Sequence, residues 1–157
     1  MLFRSLTAAP RLGPAAEDAK ESVILNRIIR WTDKGLELEA DPRQCERLVE
    51  ECGLAGANTT ATPGTKPGTE QILSDKDLDP KLCTPFRGAA ARANYLCADR
   101  IDCQFAARET CRLMSKPTDL AWNALKRLAR FLVGLPRLVY TFLQLADRRP
   151  RGGLQRH

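Results

Sequence analysis

The chain is short of the residues from which metal sites and large cores are built. Its 157 residues include a single histidine, His157, and aromatic side chains make up only 6%. Six cysteines stand at positions 45, 52, 83, 97, 103 and 111, and no two have CxxC spacing. Zinc needs close ligand pairs of suitable geometry, so no zinc site is expected, and no metal ligands are assigned. Scarce aromatics leave a core of Leu, Ile, Ala and Cys. No apolar run approaches the length that spans a bilayer; the nearest, Phe131–Leu135, is flanked by Arg130 and Pro136. No membrane partner is therefore expected. Without a secretory signal the default compartment is reducing and disulfides are not expected. Cys45 and Cys52, seven apart on a helical face with Leu48 and Val49, have the pattern of buried free thiols.

What is present fits one ordinary domain or a piece of a larger one. Hydrophobic residues make up 43% and charged residues 28%. The net charge of +6 is unevenly spread. From Leu120 to His157 there are eight Lys or Arg against one acid, Asp147, giving +7, so the preceding residues sum to −1. Such asymmetry suggests a polyanionic partner; the plainer alternative is a solvated helix face followed by a disordered basic tail.

Along the chain, Met1–Ala16 carries Arg4 and Arg11 but no acid before Glu17, a composition like that of a mitochondrial transit peptide. Pro10 and Pro14 limit any helix there. Residues 1–20 are expected to be a disordered N-terminus. Val23–Ala40 reads as one β-hairpin, turning at Thr32-Asp33-Lys34-Gly35, with Leu36, Leu38 and Ala40 alternating against Glu37 and Glu39. The remaining sequence offers no other convincing strand, although Leu138–Leu145 is short enough to be strand or helix. Asp41 caps a helix with Pro42 in its first position and Gln44 completing a capping box; Cys45, Leu48, Val49 and Cys52 form its apolar stripe and Gly53 stops it. Residues 21–53 form one segment on this reading. Residues 54–83, rich in Gly, Thr, Pro and Asp, read as a long linker.

Three helical patterns then fill residues 84–136. Thr84 caps and Pro85 opens the first, Phe86 to Ala98. The second runs from Ile101 to Met114, with Ile101, Phe105, Ala106 and Cys111 inward. Thr118 caps the third, from Asp119 to Val133, which Gly134 and Pro136 stop. On the third helix Ala121, Ala124, Leu125, Leu128 and Leu132 share one side. Asn123, Lys126, Arg127 and Arg130 share the other, where a basic face is either solvated or laid along phosphates. Residues 137–157 form a basic tail. The fold class is α+β: one hairpin and about four helices, with a flexible linker and disordered ends.

Several separated motifs resemble, in order, the reverse transcriptase region of copia-type retrotransposon polyproteins. LGP, KE and LNRIIRWTDKGLELEAD come first, then RLVEECGL and a TPG loop. FRGAAARANYL, DRIDCQFA and WNALKRLARFLVG follow. The resemblance covers about Leu12 to Val139. It implies that Val23–Ala40 is a hairpin following the polymerase palm. It further implies that Phe86–Ala98 is a thumb helix lying in the minor groove of the template–primer, and that the third helix leads toward ribonuclease H. The implied partner is an RNA–DNA or DNA duplex, with Arg87, Ala91, Arg92, Tyr95, Lys126, Arg127 and Arg130 as candidate contacts. Arg87, Ala91 and Tyr95 fall at i, i+4, i+8, which lets a small residue approach the duplex between two larger ones. Minor-groove contact senses duplex width with little dependence on sequence.

The same resemblance marks what is missing. Polymerases of this family hold Mg2+ on paired aspartates for in-line attack on phosphate. No Asp-Asp occurs here, and the chain turns to DRRPRGGLQRH where ribonuclease H carboxylates are expected. Ile101 stands where the family has Pro. The expectation is a non-catalytic fragment with no cofactor and no small-molecule substrate, located in cytoplasm or nucleus, whose hairpin is its least secure element. Two alternatives stand beside it: a small exapted helical nucleic-acid-binding protein, and a mitochondrially imported helical protein.

Overall fold

The order of elements is three strands, five helices and a last strand: β1 (Glu21–Ile24), β2 (Arg27–Thr32), β3 (Gly35–Glu39), α1 (Pro42–Glu51), α2 (Thr69–Leu73), α3 (Pro80–Leu96), α4 (Gln104–Cys111), α5 (Asp119–Gly134) and β4 (Val139–Leu143). The computed structural model describes residues 11–143, and the fold is α+β. Two units separate: Glu39–Leu138, which holds the helices, and the flanking residues up to Leu38 and from Val139 onward. The first ten residues of the targeting-like segment and the basic tail beyond Leu143 lie outside the described residues.

The flanking unit carries a four-stranded antiparallel sheet in the order β1-β2-β3-β4. The expected hairpin is present as β2 and β3, and β1 and β4 extend it on either side to four strands. Its first arm breaks at Leu25-Asn26, both at positive φ (52° and 64°). Two central residues at positive φ make the turn whose twist suits a two-residue hairpin. Asn tolerates that region readily; Leu does so only under strain. Ile24 opposite Arg27 and Glu21 opposite Arg30 set the register, and the Arg30 Nε–Glu21 Oε2 pair closes at 2.7 Å. Residues 11–20, expected to be disordered, form a closed loop. Lys20 Nζ donates to the carbonyls of Gly13, Pro14 and Ala15 at 2.9, 3.0 and 2.8 Å.

In the helical unit α1 follows its sequence signals. Asp41 Oδ1 accepts from the Arg43 amide at 3.1 Å, and Pro42 opens the first turn. Gly53, at φ 66°, ends the helix, with the Leu54 amide donating to the Val49 carbonyl at 3.0 Å. Cys45, Leu48 and Cys52 are buried as expected. Gln44 is used otherwise than in a capping box: its Oε1 accepts from Arg92 Nη1 at 2.8 Å. Burial works against the Asp41 charge, but the hydrogen bonds and charge of Arg43 hold its carboxyl below the usual range.

α3 begins five residues earlier than the Thr84-Pro85 signal suggests. Asp79 is its cap, accepting from the Lys81 amide at 2.9 Å, and Pro80 is its first residue, repeating the Asp-Pro start of α1. Pro85 lies inside the helix, where it forgoes one backbone bond. α4 also shifts. Ile101 and Phe105, expected inward, are 64% and 76% exposed. The buried stripe is Cys103, Ala106, Ala107 and Thr110, which keeps i, i+3, i+4, i+7 spacing one register away. On α5, Ala124 faces out, and Trp122 and Ala129 join Ala121, Leu125, Leu128 and Leu132 inside.

The core gathers these faces. Phe86 on α3 meets Trp122 on α5 edge-on, with ring centroids 6.2 Å apart. Alanine supplies much of the buried surface of α3 and α4, through Ala89, Ala90, Ala93, Ala106 and Ala107. Small side chains let helices approach closely, so a chain poor in aromatics still excludes water.

Of residues 54–83, read as a long linker, the last four begin α3, and the stretch before them contains α2 and runs along the other helices. Thr60 Oγ1 donates to the Arg127 carbonyl at 3.4 Å, and Leu78 is buried. Asp77 bridges Thr118, and the Asp119 amide donates to the Lys76 carbonyl at 2.9 Å. Gly134 admits this strap, since a Cβ there would stand 3.0 Å from Thr59 Cβ. At the two ends of the helical unit, Glu39 and Arg137 form a two-point pair, with Arg137 Nη2 donating to Glu39 Oε2 at 2.8 Å and Nε to Oε1.

Candidate nucleic-acid interface

α3 has two distinct sides. Phe86, Ala89, Ala90, Ala93 and Leu96 are buried, while Arg87, Gly88, Ala91, Asn94 and Tyr95 are exposed. The expected Arg87–Ala91–Tyr95 row therefore lies on one open face. Arg87 Nε donates to the Met114 carbonyl at 2.8 Å, which fixes the guanidinium at the helix surface. Gly88 and Ala91 present almost no side chain beside it, so a ligand backbone can approach α3 closely. Tyr95 closes the row, 49% exposed.

Arg92 turns away from this face. Its Nε lies 3.0 and 2.9 Å from the two Glu51 oxygens, and its Nη2 donates to Glu51 Oε1 at 2.7 Å. With Gln44 on Nη1, this guanidinium joins α1 to α3. The Glu51 hydrogen bonds raise its pKa further above the ordinary arginine value.

The basic side of α5 is partly occupied. Lys126 Nζ sits 5.1 Å from the Trp122 ring centroid. Arg127 Nη2 donates to Thr62 Oγ1 at 2.9 Å, and its Nε is buried without a hydrogen-bond partner. Arg130 and Asn123 are exposed. The structure thus gathers Arg87, Ala91 and Tyr95, commits Arg92 to α1, and draws Lys126 and Arg127 against the protein's own surface.

A groove of about 220 Å³ opens between α3 and α4, lined by Asn94, Cys97, Ala98, Gln104 and Arg108. Sequence reasoning missed it. The one available signal was Asn94, seven residues after Arg87 and so on the same helical side. Gln104 and Arg108 became visible only once α4 had its true register.

The turn between α3 and α4 is held by Arg100, which is 1% exposed. Its Nε and Nη2 donate to Asp102 at 3.0 and 2.7 Å, and Nη2 and Nη1 to the carbonyls of Leu135 and Pro136 at 3.0 and 3.3 Å. Burial opposes the Arg100 charge, but the bonds to Asp102 more than offset it and raise the pKa. The turn is secured by this pair with Ile101, not Pro, between its members.

All six cysteines are free, and Cys45, Cys52, Cys97 and Cys103 are buried. Burial pushes the Cys45 and Cys52 thiols up to about 11. A hydrogen bond with Cys103, and then burial, raises Cys97 as well. Thiolate is the reactive form, so these groups are inert near neutrality. A colorimetric thiol titration at pH 8 should find at most Cys83 and Cys111 reacting promptly in the native protein, and all six in denaturant. Because the folded pKa values lie above the unfolded 9.0, stability from Cys45 and Cys52 is intact below pH 9 and lost as pH rises toward 11. Prompt native reaction of more than two thiols would contradict this packing. Among the described residues no cluster of three or more His, Cys, Asp or Glu could hold a metal ion, and no helix is long and apolar enough to cross a membrane.

Comparison with known proteins adds one similarity of origin. The chain is 36% identical over 90 residues to the Retrovirus-related Pol polyprotein from transposon RE2 of Arabidopsis thaliana. That similarity supports a retrotransposon Pol origin. The matched stretch is 57% of this chain and 6% of that polyprotein, so the chain corresponds to a small part of its relative. No family model matches, and no solved structure matches.

Proposed function

We propose that this chain is a non-catalytic piece of a copia-type reverse transcriptase, the part that grips the template–primer duplex. The observation that carries the reading is the open face of α3, on which Arg87, Gly88, Ala91 and Tyr95 stand outward while Phe86, Ala89, Ala90 and Ala93 anchor the helix. Gly88 and Ala91 let the helix backbone meet a sugar edge. Arg87 reaches a phosphate on one side and Tyr95 packs on a sugar at the other. Arg130 adds positive charge. These contacts sense the width of a duplex and not its sequence. The similarity to a Pol polyprotein supports the same reading, and the absence of an Asp-Asp pair supports a gripping role without nucleotide incorporation.

Anisotropy titration of a labelled RNA–DNA hybrid tests it. Affinity should fall steeply with salt, and Arg87→Ala should reduce the log–log salt slope by about 1. Ala91→Glu should weaken binding by about tenfold or more by bringing a carboxylate to the phosphates. Arg112→Ala, a change to an exposed arginine paired with Glu109, serves as control. Binding indifferent to salt, or to Arg87 and Ala91, sinks the proposal. The contiguous core of Glu39–Leu138 favours a second reading, an independently folding duplex binder descended from such an element. Cooperative unfolding of the purified chain together with salt-sensitive binding would support it.

A further inference from the structure

β4 is the outermost strand of the sheet order among the described residues. It is also the one strand of the four without a charged side chain, reading Val139-Tyr140-Thr141-Phe142-Leu143. Phe142 and Leu143 are 56% and 70% exposed. An outer strand presents a row of backbone donors and acceptors to any extended segment that fits. Proteins that avoid such pairing place lysine, proline or inward charge on the edge, and β4 has none of these. β1, the opposite edge, carries Glu21 locked to Arg30 at 2.7 Å.

The pattern of β4 specifies what fits. It is symmetric about Thr141. Antiparallel pairing with a second β4 places Val139 opposite Leu143, Thr141 opposite Thr141 and Tyr140 opposite Phe142. Alternation then puts the aliphatic and threonine pairs on one face and both aromatic pairs on the other. Threonine–threonine and aromatic–aromatic pairs are among the favourable cross-strand neighbours, and no like charges meet. The same operation on β1 sets Glu21 opposite Ile24 and has no such match.

We propose that β4 is a homodimerisation edge, where two copies of this chain pair antiparallel about Thr141 and join their sheets across a two-fold axis. The contact is isologous and therefore closes at two copies. Sedimentation equilibrium on the full chain should show a reversible, concentration-dependent dimer. Thr141→Lys and Thr141→Glu each oppose like charges at the axis and should weaken the dimer by about tenfold or more. An equimolar mixture of the two variants should restore it, because Lys then faces Glu. A wild-type chain that stays monomeric, single variants that associate as well as wild type, or a mixture no better than either variant overturns the proposal. Open-ended association also overturns it, since that is what pairing of β4 on β1 would produce. Should both variants unfold, hydrogen exchange of the wild type decides. Protection of the 139–143 amides that rises with protein concentration supports the dimer, and concentration-independent exchange rejects it.

Discussion

Arg100→Ala should lower the unfolding free energy by about 3–5 kcal/mol, a large share of what a domain of this size possesses. The residue is 1% exposed, and its guanidinium serves both Asp102 and the carbonyls that follow α5. Removal leaves the Asp102 charge, which is 22% exposed, partly unpaired. It also leaves the Leu135 and Pro136 carbonyls without this donor and opens a void the length of the side chain. Arg100→Lys should recover little, because one ammonium cannot reproduce a two-pronged contact with Asp102 while also reaching two carbonyls. Urea unfolding followed by circular dichroism measures both variants. A loss under about 1 kcal/mol would mean that water replaces the guanidinium, and that the pair is not what secures the turn.

The second large effect is expected at Phe86. This side chain is fully buried, on a helix whose other inward residues are mostly alanine. Alanine neighbours are too short to collapse into the space a phenyl ring leaves. Phe86→Ala should therefore cost about 3–5 kcal/mol, with the cavity term near its upper range. Part of the loss is the edge-on contact with Trp122, worth about 0.5–1.5 kcal/mol beyond burial. A double-mutant cycle with Trp122→Leu isolates that part. Phe86→Leu should recover most of the stability, and failure to do so would mean that ring geometry matters more than filled volume.

Local signals in the sequence located the ends of α1 and of α5, where one residue type answers one backbone need; α2, inside the stretch read as a linker, carried no such signal. Asp41-Pro42 and Gly53 bound α1, and Thr118 caps α5, its Oγ1 accepting from the Ala121 amide at 3.3 Å. The start of α3 was missed because two Pro signals compete. Thr84-Pro85 looks like an opening, yet Asp79-Pro80 supplies the stronger cap, and the helix then tolerates a proline within it. The split of the first hairpin arm was missed because Leu25 is a poor turn residue, and only Asn26 hinted at positive φ. α4 was misregistered because large apolar residues were assumed to point inward, whereas close packing on α3 selects Ala106, Ala107 and Thr110. That Arg87, Ala91 and Tyr95 share one side of α3 follows from helical spacing, but the choice of that side as the candidate interface came from the family resemblance. The positions of Arg92 and Arg127 were not, because their partners Glu51 and Thr62 lie 41 and 65 residues away. Helical geometry assigns a face to each residue; it does not say which distant segment will cover that face.

The Glu39–Arg137 pair has a kinetic meaning. β3 and β4 are neighbours in one sheet, yet the whole helical unit is threaded between them. If that stretch were unstructured, joining the two strands would mean closing a very long loop, which is slow although not prohibitive at equilibrium. Once the helices have formed, Glu39 and Arg137 already stand together, and β4 has only a short search to find β3. The sheet should therefore be completed late, after the helical unit, and β4 should be the first strand to detach when that unit loosens.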